Sequence, residues 1–504
     1  MASSAIPTRQ HGAIASPKPR AIAILGGGLS GALVAIHLLK TARHPLSITL
    51  IDRHHLGQGT AYSTSFDCHL LNVPAGKMSL FADQPDHFLH WLQSQGKWNQ
   101  PTLAQSFIPR KIYGQYIQAT LDQAEIYASS QVQLHRISDE AIALQPVPGG
   151  MTIHLRYGSP IRADRVVLAL GNLPPVPPPV ADPTFYSSDR YIDSAWTFQP
   201  NAVASDAPVI LMGSSLTAID TVLALRQQKH QGTIHLVSRH GLLPHAHKQI
   251  DATVPPLSVG WDSSVLSHVA STKQPITVRH VMRQVRQAVE SAVAQGHDWR
   301  SVIDAIRPHT QRLWQSLSVT EQRRFLRHVR VYWDNHRHRI APGVADAIAH
   351  LQQINQLKVH AGRILAYDED RDGVNVVMRQ RCCHEQTTLR GSVVINCTGA
   401  TGDYRKASQQ LIASLLDAKL ICPDELSLGL RVASNGAIVD AVGTVSQHLY
   451  TLGSPRKGEL WETTAVREIR DQAKVLTQEL LSSVQPPASH SSHGLETRSI
   501  AFSQ

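Results

Sequence analysis

Three glycines near the start of the 504-residue chain have the spacing of a phosphate-binding turn. Residues 21–25 read as a buried apolar strand, and an apolar helical run follows the turn that holds Gly26, Gly28 and Gly31. In such a turn the first glycine allows a tight bend, the second lets the backbone approach a pyrophosphate, and the third lets the helix pack closely on the strand. The stretch therefore predicts a dinucleotide-binding site.

The residues around this turn strengthen the prediction. The N–H groups of Leu29 and Ser30, at the helix start, would face the phosphate anions. A second strand ends in Asp52, about 20 residues further on, where a carboxylate can bond a ribose hydroxyl. We also expect Arg53, the next residue, to contact the cofactor.

The same pattern occurs a second time. A strand at 209–212 leads into a turn with Gly213 and Ser215, and then into a helix. The next strand ends in Ser238 and Arg239 instead of an acid. An acid at this position favours an unphosphorylated ribose, whereas arginine can hold a 2′-phosphate. The first unit therefore suits FAD or NAD and the second suits NADPH, with an ordinary surface cation as the alternative for Arg239.

Composition limits the class of protein. The length allows two or three domains, and no stretch is apolar enough to predict a membrane span. The five cysteines form no C-x-x-C motif, so we expect neither disulfides nor a metal site, and we expect a cytoplasmic protein. His54-His55 and the pair His245 and His247 are predicted to be loop histidines.

Positive charge is concentrated in the middle of the chain. The formal net charge is +10, and residues 273–339 hold thirteen Lys/Arg against five Asp/Glu. No nucleic-acid motif accompanies this charge, so we expect a solvated helical face or steering of an anionic cofactor or substrate. Within this segment, His336 and Arg339 would share one face of a helix and are the candidate catalytic residues, for anion binding or proton transfer. The alternative is a solvated helix end.

Two nucleotide units, each followed later by a strand that ends in glycine, point to a flavoprotein with two dinucleotide sites. The chain resembles the FAD/NAD(P)-binding oxidoreductase family of poorly characterised bacterial flavoproteins, over about residues 20–480. More distantly it is similar to the flavin N-hydroxylating monooxygenases. The resemblance rests on the turns at 26–31 and 213–218 and on the segments 59–62, 71–79, 107–116, 333–339 and 396–399.

The resemblance implies roles for further residues. It places Tyr62, Asn72, Met78 and Arg110 around the flavin. It also implies that Gly171, Gly399 and Gly453 let the chain pass close to FAD. Two positions depart from the family pattern: Asp52 stands where glutamate is usual, and Ser454 replaces a late aspartate.

Together these observations predict an α/β fold with two Rossmann-like domains, for FAD and for NAD(P)H, and a helical insertion in the second. The expected order is a disordered arm (1–19), the first part of the FAD domain (20–205), the NAD(P)H domain (206–265 and 354–390) interrupted by the helical insertion (266–353), the second part of the FAD domain (391–483) and a disordered tail (484–504).

The predicted function is that of an FAD-dependent oxidoreductase. NADPH would reduce FAD, which would then reduce a small molecule or activate oxygen for hydroxylation. The alternative is a flavin-binding redox sensor that acts on a partner through the basic helical segment. The sequence specifies neither the substrate nor the oligomeric state.

Overall fold

The computed structural model describes residues 19–53, 56–248 and 276–482. Several predicted features lie outside these residues. They are His54-His55, the two predicted disordered arms (apart from residue 19) and the first part of the predicted helical insertion. The strands are β1 (Arg20–Leu25), β2 (Leu46–Asp52), β3 (Val132–Ser138), β4 (Ala141–Val147), β5 (Gly150–Leu155), β6 (Ile161–Ala163), β7 (Arg165–Leu168), β8 (Tyr191–Ile192), β9 (Val209–Met212), β10 (Ile234–Ser238), β11 (Leu357–Asp370), β12 (Gly373–Gln380), β13 (Gln386–Gly391), β14 (Val393–Asn396), β15 (Ala437–Val439) and β16 (Val445–Thr451).

Helices connect and cover these strands. They are α1 (Leu29–Thr41), α2 (Gly59–Tyr62), α3 (His87–Ser94), α4 (Arg110–Ile126), α5 (Leu216–Gln227), α6 (Val278–Ala294), α7 (Trp299–Ile306), α8 (Thr310–Ser316), α9 (Val319–His328), α10 (Arg330–Arg337), α11 (Pro342–Gln353), α12 (Gln410–Asp417), α13 (Lys457–Leu460) and α14 (Val466–Leu481). In the described part of the chain, no helix has both the length and the apolar character needed to cross a bilayer.

The first sheet contains the first glycine turn. Its described strands run in the order β15-β16-β7-β1-β2-β3, with β1 parallel to both β2 and β7. Because β1, β2 and β7 have apolar residues on both faces, they need cover on both sides. Helices α1, α4 and α14 cover one face, and the small sheet β4-β5-β6 with α12 covers the other. The chain leaves this sheet after β7 and returns to it with β15 and β16.

The second sheet contains the second glycine turn. Its described strands run in the order β13-β12-β11-β10-β9-β14-β8, and β9, β10, β11 and β14 are parallel neighbours. Helices α5 and α11 pack on one face. The two sheets confirm the predicted α/β fold with two dinucleotide units.

Two predicted domain boundaries are wrong. Strand β14 was assigned to the returning FAD domain, but it pairs with β9 in the second sheet, in the register Leu211↔Ile395. Strand β8 was assigned to the first part of the FAD domain, but it pairs with β14. A short, mostly apolar strand carries no local sign of its sheet, because any buried parallel strand has the same pattern.

The helical segment between β10 and β11 contributes to two parts of the molecule. Its last helix, α11, packs on the second sheet through Val344, Ile348 and Leu351, as a crossover helix does. Its earlier helices contact the first unit, where Arg307 forms a two-pronged ion pair with Glu468 of α14. Trp314 also stacks on Trp461, with ring centres 5.0 Å apart. Helices α7 to α10 therefore lie between the two units.

Candidate functional site

The first glycine turn leaves no room for side chains at two of its three glycines. Gly26 has a φ of +106°, and a Cβ there would lie 2.3 Å from the backbone oxygen of Ala169. A Cβ on Gly31 would lie 1.9 Å from the oxygen of Gly26. These contacts confirm that Gly26 allows the tight bend and that Gly31 lets α1 pack on the turn.

Gly28, which is predicted to approach a pyrophosphate, lies beside a second glycine. It caps α1, and its hypothetical Cβ would lie 3.3 Å from the Cα of Gly59, the first residue of α2. The backbones of the two glycines therefore approach each other directly. A pyrophosphate at Gly28 would share this space with Gly59, which also has no side chain.

The second turn repeats the geometry of the first. Gly213 has a φ of +119°, and its hypothetical Cβ would lie 2.5 Å from the oxygen of Cys397. The N–H of Gly213 donates to the carbonyl of Val237 at 2.8 Å. In the same way, the N–H of Gly26 donates to the carbonyl of Ile51 at 2.9 Å. Ser215 caps α5 as Gly28 caps α1. The second unit is therefore a structural copy of the first, with serine at the helix cap.

The two copies differ at the end of the second strand. Ser238 occupies the position that Asp52 has in the first unit, so the predicted absence of an acid is confirmed. Asp52 accepts a hydrogen bond from the N–H of Gly27 at 2.6 Å, whereas Ser238 bonds the hydroxyl of Ser214 at 2.8 Å. Arg239 follows and is exposed.

Two of the three glycines that follow strands have open space beside their backbone. Gly171 and Gly399 have φ values of +63° and +88°, and nothing described lies within 4 Å of a Cβ built on either. Gly399 was predicted to lie beside FAD in the first domain, but it follows β14 and therefore closes a strand of the second sheet. Gly453 follows β16 of the first sheet, and its hypothetical Cβ lies 3.1 Å from the hydroxyl of Ser30 at the start of α1.

A cleft of about 2010 Å³ lies between the two units and the helical segment. Ten of the predicted site residues line it: Tyr62, Asn72, Met78, Arg110, Gly171, Gly213, Ser215, Arg239, Arg339 and Gly399. The other predicted residues are not among its described lining: Gly26, Gly28, Leu29, Ser30, Gly31, Asp52, Arg53, His336 and Gly453. The first glycine turn therefore lies beside the cleft, whereas the second opens into it.

The loop after β2 forms one wall of the cleft. Met78 is buried, and its carbonyl accepts a hydrogen bond from the Tyr113 hydroxyl at 2.8 Å. The carbonyl of Asn72 lies 2.9 Å from Nε2 of His247, which also lines the cleft. These bonds connect the loop to α4 and to the segment that follows β10. The backbone at Asn72 and Met78 is thus held in place.

Arg110 joins the two nucleotide units. Its guanidinium forms a 2.7 Å ion pair with Asp220 of α5, and both side chains are largely buried, at 12% and 13% exposure. The same guanidinium donates from Nε to the carbonyl of Leu70 at 3.0 Å. Helix α4 of the first unit and helix α5 of the second are therefore connected through one charged side chain.

His336 and Arg339 do not share a helical face. Helix α10 ends at Arg337, and the chain then extends toward Pro342, so the helical spacing assumed for the pair does not apply. His336 packs against His245 and Trp299, with ring centres 4.6 and 4.8 Å away. Arg339 is buried, pairs with Asp304 and lines the cleft.

Sequence reasoning missed two features of the cleft. His247 lies in a loop, as predicted, but its position in the cleft was not predicted. It follows the second nucleotide strand, where ligands of parallel sheets bind. The buried ion pair between Arg337 and Glu462, 3.1 Å long, also lines the cleft. No sequence signal connects two residues this far apart in the chain.

Acid should destabilise the protein partly through His247. Burial, with a smaller contribution from Arg339, lowers the pKa of His247 to about 4. Between pH 6.5 and pH 4 the unfolded chain binds a proton at this histidine that the folded chain does not, so stability falls as the pH falls through this range. We expect His247→Gln to reduce the drop in melting temperature between pH 7 and pH 5.

The matched control is the exposed His44→Gln, which should leave the drop unchanged. Some pH dependence should persist in both variants, because burial also lowers the pKa values of His37 and His235 to about 4. If the melting temperature falls equally in His247→Gln and in the unchanged protein, His247 does not contribute to the loss of stability in acid.

Comparisons with known proteins agree with this geometry. Residues 23–173 match the FAD-NAD(P)-binding family model. No curated protein matched the sequence.

Solved structures match nearly the whole chain. An ornithine N-hydroxylase from Kutzneria sp. 744, solved with reduced FAD, NADP+ and L-ornithine, is 12% identical, with a TM-score of 0.60 over 92% of this chain and 99% of that one. The L-lysine 6-monooxygenase from Pseudomonas syringae is 14% identical, with a TM-score of 0.60 over 92% and 98%. The cadaverine monooxygenase DfoA from Erwinia amylovora is 13% identical, with a TM-score of 0.59 over 95% and 99%. Residues 23–173 are therefore similar to FAD-NAD(P)-binding domains, and the chain shares the fold of these three enzymes, with its two nucleotide units.

Proposed function

We propose that this protein is an FAD-dependent oxidoreductase. It takes electrons from NADPH and passes them to a small-molecule substrate, or uses them to activate oxygen for hydroxylation. The observation that carries the proposal is the pair of equivalent glycine turns beside one cleft, into which the strand-closing residues Gly171 and Gly399 open. FAD, when bound, supplies the hydride acceptance and the electron transfer.

The chain's own residues would bind and orient the two cofactors. The turn at 26–31 holds the FAD pyrophosphate, and Asp52 and Arg53 lie toward its ribose. Asn72, Met78, Tyr62 and Arg110 surround the flavin end, in the wall of the cleft. Gly213 and Ser215 hold the NADPH pyrophosphate, and Arg239 binds the 2′-phosphate, since no acid occupies the end of β10 to repel it.

Of the two predicted catalytic residues, only Arg339 stays in this proposal. It provides a fixed positive charge in the cleft, near enough to His247 to lower the pKa of that histidine. His336 is left out because it packs against Trp299 and is not among the described residues that line the cleft.

The structure also bears on the alternative of a redox sensor acting through the basic helical segment. Several cations of that segment, among them Arg327, Arg330 and Arg337, line the cleft. Their charge therefore faces the proposed reaction site, which favours an enzyme. The fold is shared with an N-hydroxylase and two monooxygenases, which favours oxygen activation. We place the protein in the cytoplasm, because its five cysteines are all free.

The proposal is tested by spectroscopy and turnover on the purified chain. We expect a yellow protein with bound FAD, bleaching when NADPH is added without oxygen, and recovery of the colour in air. A colourless protein that stays colourless after FAD is added and the excess removed would exclude the proposal. Bound FAD that NADPH does not reduce would instead favour the sensor.

A further inference from the structure

Part of the cleft lining is both cationic and apolar. It consists of Arg327 of α9, Arg330 and Arg337 of α10, and Lys457 of α13, together with the apolar Leu326 and Leu428. We call these six residues the cationic pocket. Lys457 and Arg330 both lie over the ring of Trp461, at 5.1 and 5.8 Å from its centre. Four of the six residues lie close together in the chain, and Leu428 and Lys457 join them only in the folded protein.

The carboxylates at the cationic pocket are already in ion pairs. Asp334 pairs with Arg330 at 3.4 Å, and Glu462 pairs with Arg337 at 3.1 Å and also accepts from the Trp333 indole. Within the described residues, no carboxylate lies at ion-pair distance from Arg327 or Lys457. The pocket therefore has an excess of positive charge, and its acids are not available to bind an amine.

Positive charges at this pocket repel each other. Burial, followed by repulsion from Arg330, lowers the pKa of Lys457, and the smaller attraction of Asp334 and Glu462 only partly offsets this effect. An anion placed between these cations would relieve the repulsion and would replace the water that Lys457 has lost. The arrangement suits a ligand with a negative group.

The apolar side of the pocket is firmly built. Leu428 is 8% exposed and packs in one cluster with Trp314 and Trp461, against which Leu326 also packs. Trp314 is held by a 2.8 Å hydrogen bond from its indole to the carbonyl of Gly458. A ligand in the pocket would therefore place apolar atoms against fixed side chains, while its charge meets Lys457 and Arg327.

The phosphates of the two proposed cofactors have other binding positions. The glycine turns at Gly26 and Gly213 and the cation Arg239 account for them, and none of these residues belongs to the cationic pocket. The pocket nevertheless opens into the same cleft as Met78 and Gly171. Its ligand would therefore lie within the space in which the proposed reaction occurs.

We propose that the cationic pocket binds the substrate, and that this substrate is an organic acid in which a carboxylate is joined to an apolar body. The proposal rests on the oxidoreductase function proposed above and defines its substrate class. The names of its structural neighbours specify ornithine, lysine and cadaverine, all of which carry amines. Ornithine and lysine also carry a carboxylate, so the proposed substrate differs from these three compounds in having an acid group without an amine.

Calorimetric titration of the FAD-loaded, full-length protein with octanoate and with octylamine tests the proposal. The two probes share an eight-carbon chain and differ in the sign of the charge. We expect octanoate to bind at least about tenfold more tightly than octylamine. Lys457→Met and Arg327→Gln should each weaken octanoate binding about tenfold, since each removes one charged hydrogen bond. Lys97→Met, an exposed cation that is not among the described lining of the cleft, is the control and should bind as the unchanged protein does.

Equal or tighter binding of octylamine would overturn the proposal, as would octanoate binding that both variants leave unchanged. Competition between NADP+ and octanoate would also overturn it, because the pocket would then belong to the cofactor. Arg327 is exposed, so Arg327→Gln decides the matter if Lys457→Met does not fold. If the purified protein does not bind FAD, only the oxidoreductase proposal is contradicted. The same titration on the FAD-free protein still measures octanoate binding by the cationic pocket.

Discussion

Replacement of Arg110 by methionine should lower the free energy of unfolding by about 3–5 kcal/mol. Its ion pair with Asp220 is 2.7 Å long and lies between the two nucleotide units, with both side chains largely buried. Removal of the guanidinium leaves the Asp220 carboxylate without its partner at a largely buried position in the wall of the cleft, and this uncompensated charge is the main cost. Denaturant titration of the FAD-loaded variant and of the unchanged protein measures the difference.

The neighbouring residue offers a matched control. Lys111 forms an ion pair of the same length with Asp67, but its partner is 67% exposed. Lys111→Met should therefore cost no more than about 1 kcal/mol. The double variant Arg110→Met/Asp220→Leu should recover much of the loss, because it removes both charges. If Arg110→Met costs no more than Lys111→Met, the Arg110 pair does not connect the two units as the structure indicates.

Replacement of Arg239 by alanine should reduce the preference for NADPH over NADH about 10- to 100-fold, because one or two charged hydrogen bonds to the 2′-phosphate are lost. Most of the change should appear as a higher KM for NADPH, with KM for NADH nearly unchanged. The end of β10 supports this expectation, since Ser238 stands where the first unit has Asp52. Steady-state oxidation of each nucleotide in air gives the two KM values.

Arg226 is the control for this experiment. It is an exposed cation in the last turn of α5, in the same unit, and is not among the described residues that line the cleft. Arg226→Ala should leave the preference as it is. An unchanged preference in Arg239→Ala would assign Arg239 to the ordinary surface and would remove the main argument for NADPH at the second site.

Features that depend on short stretches of chain could be predicted. The turns at Gly26 and Gly213 are recognisable because a strand, a glycine bend and a helix start are local, and their requirements for small residues are steric. The difference between Asp52 and Ser238 could also be predicted, because strand ends are marked by where the apolar run stops. The comparison with a known family model supports the first of these units.

Features that depend on which strands pair could not be predicted. Strand β14 has the same apolar character as β7, and only its pairing with β9 shows that it belongs to the second sheet. Helix α10 likewise ends one residue before His338, so the predicted face shared by His336 and Arg339 does not exist. Helix ends of this kind depend on the packing that follows them as well as on local propensity.

Two nucleotide units, and an acid at the strand end of the first unit only, can be recognised from local sequence patterns. The residues that face the cleft can be identified only in the folded chain. Folding brings His247 to the carbonyl of Asn72, Arg110 to Asp220, and Lys457 to Arg330. The physical reason is that local patterns report backbone preference and burial, whereas a contact between distant residues depends on how whole sheets and helices pack.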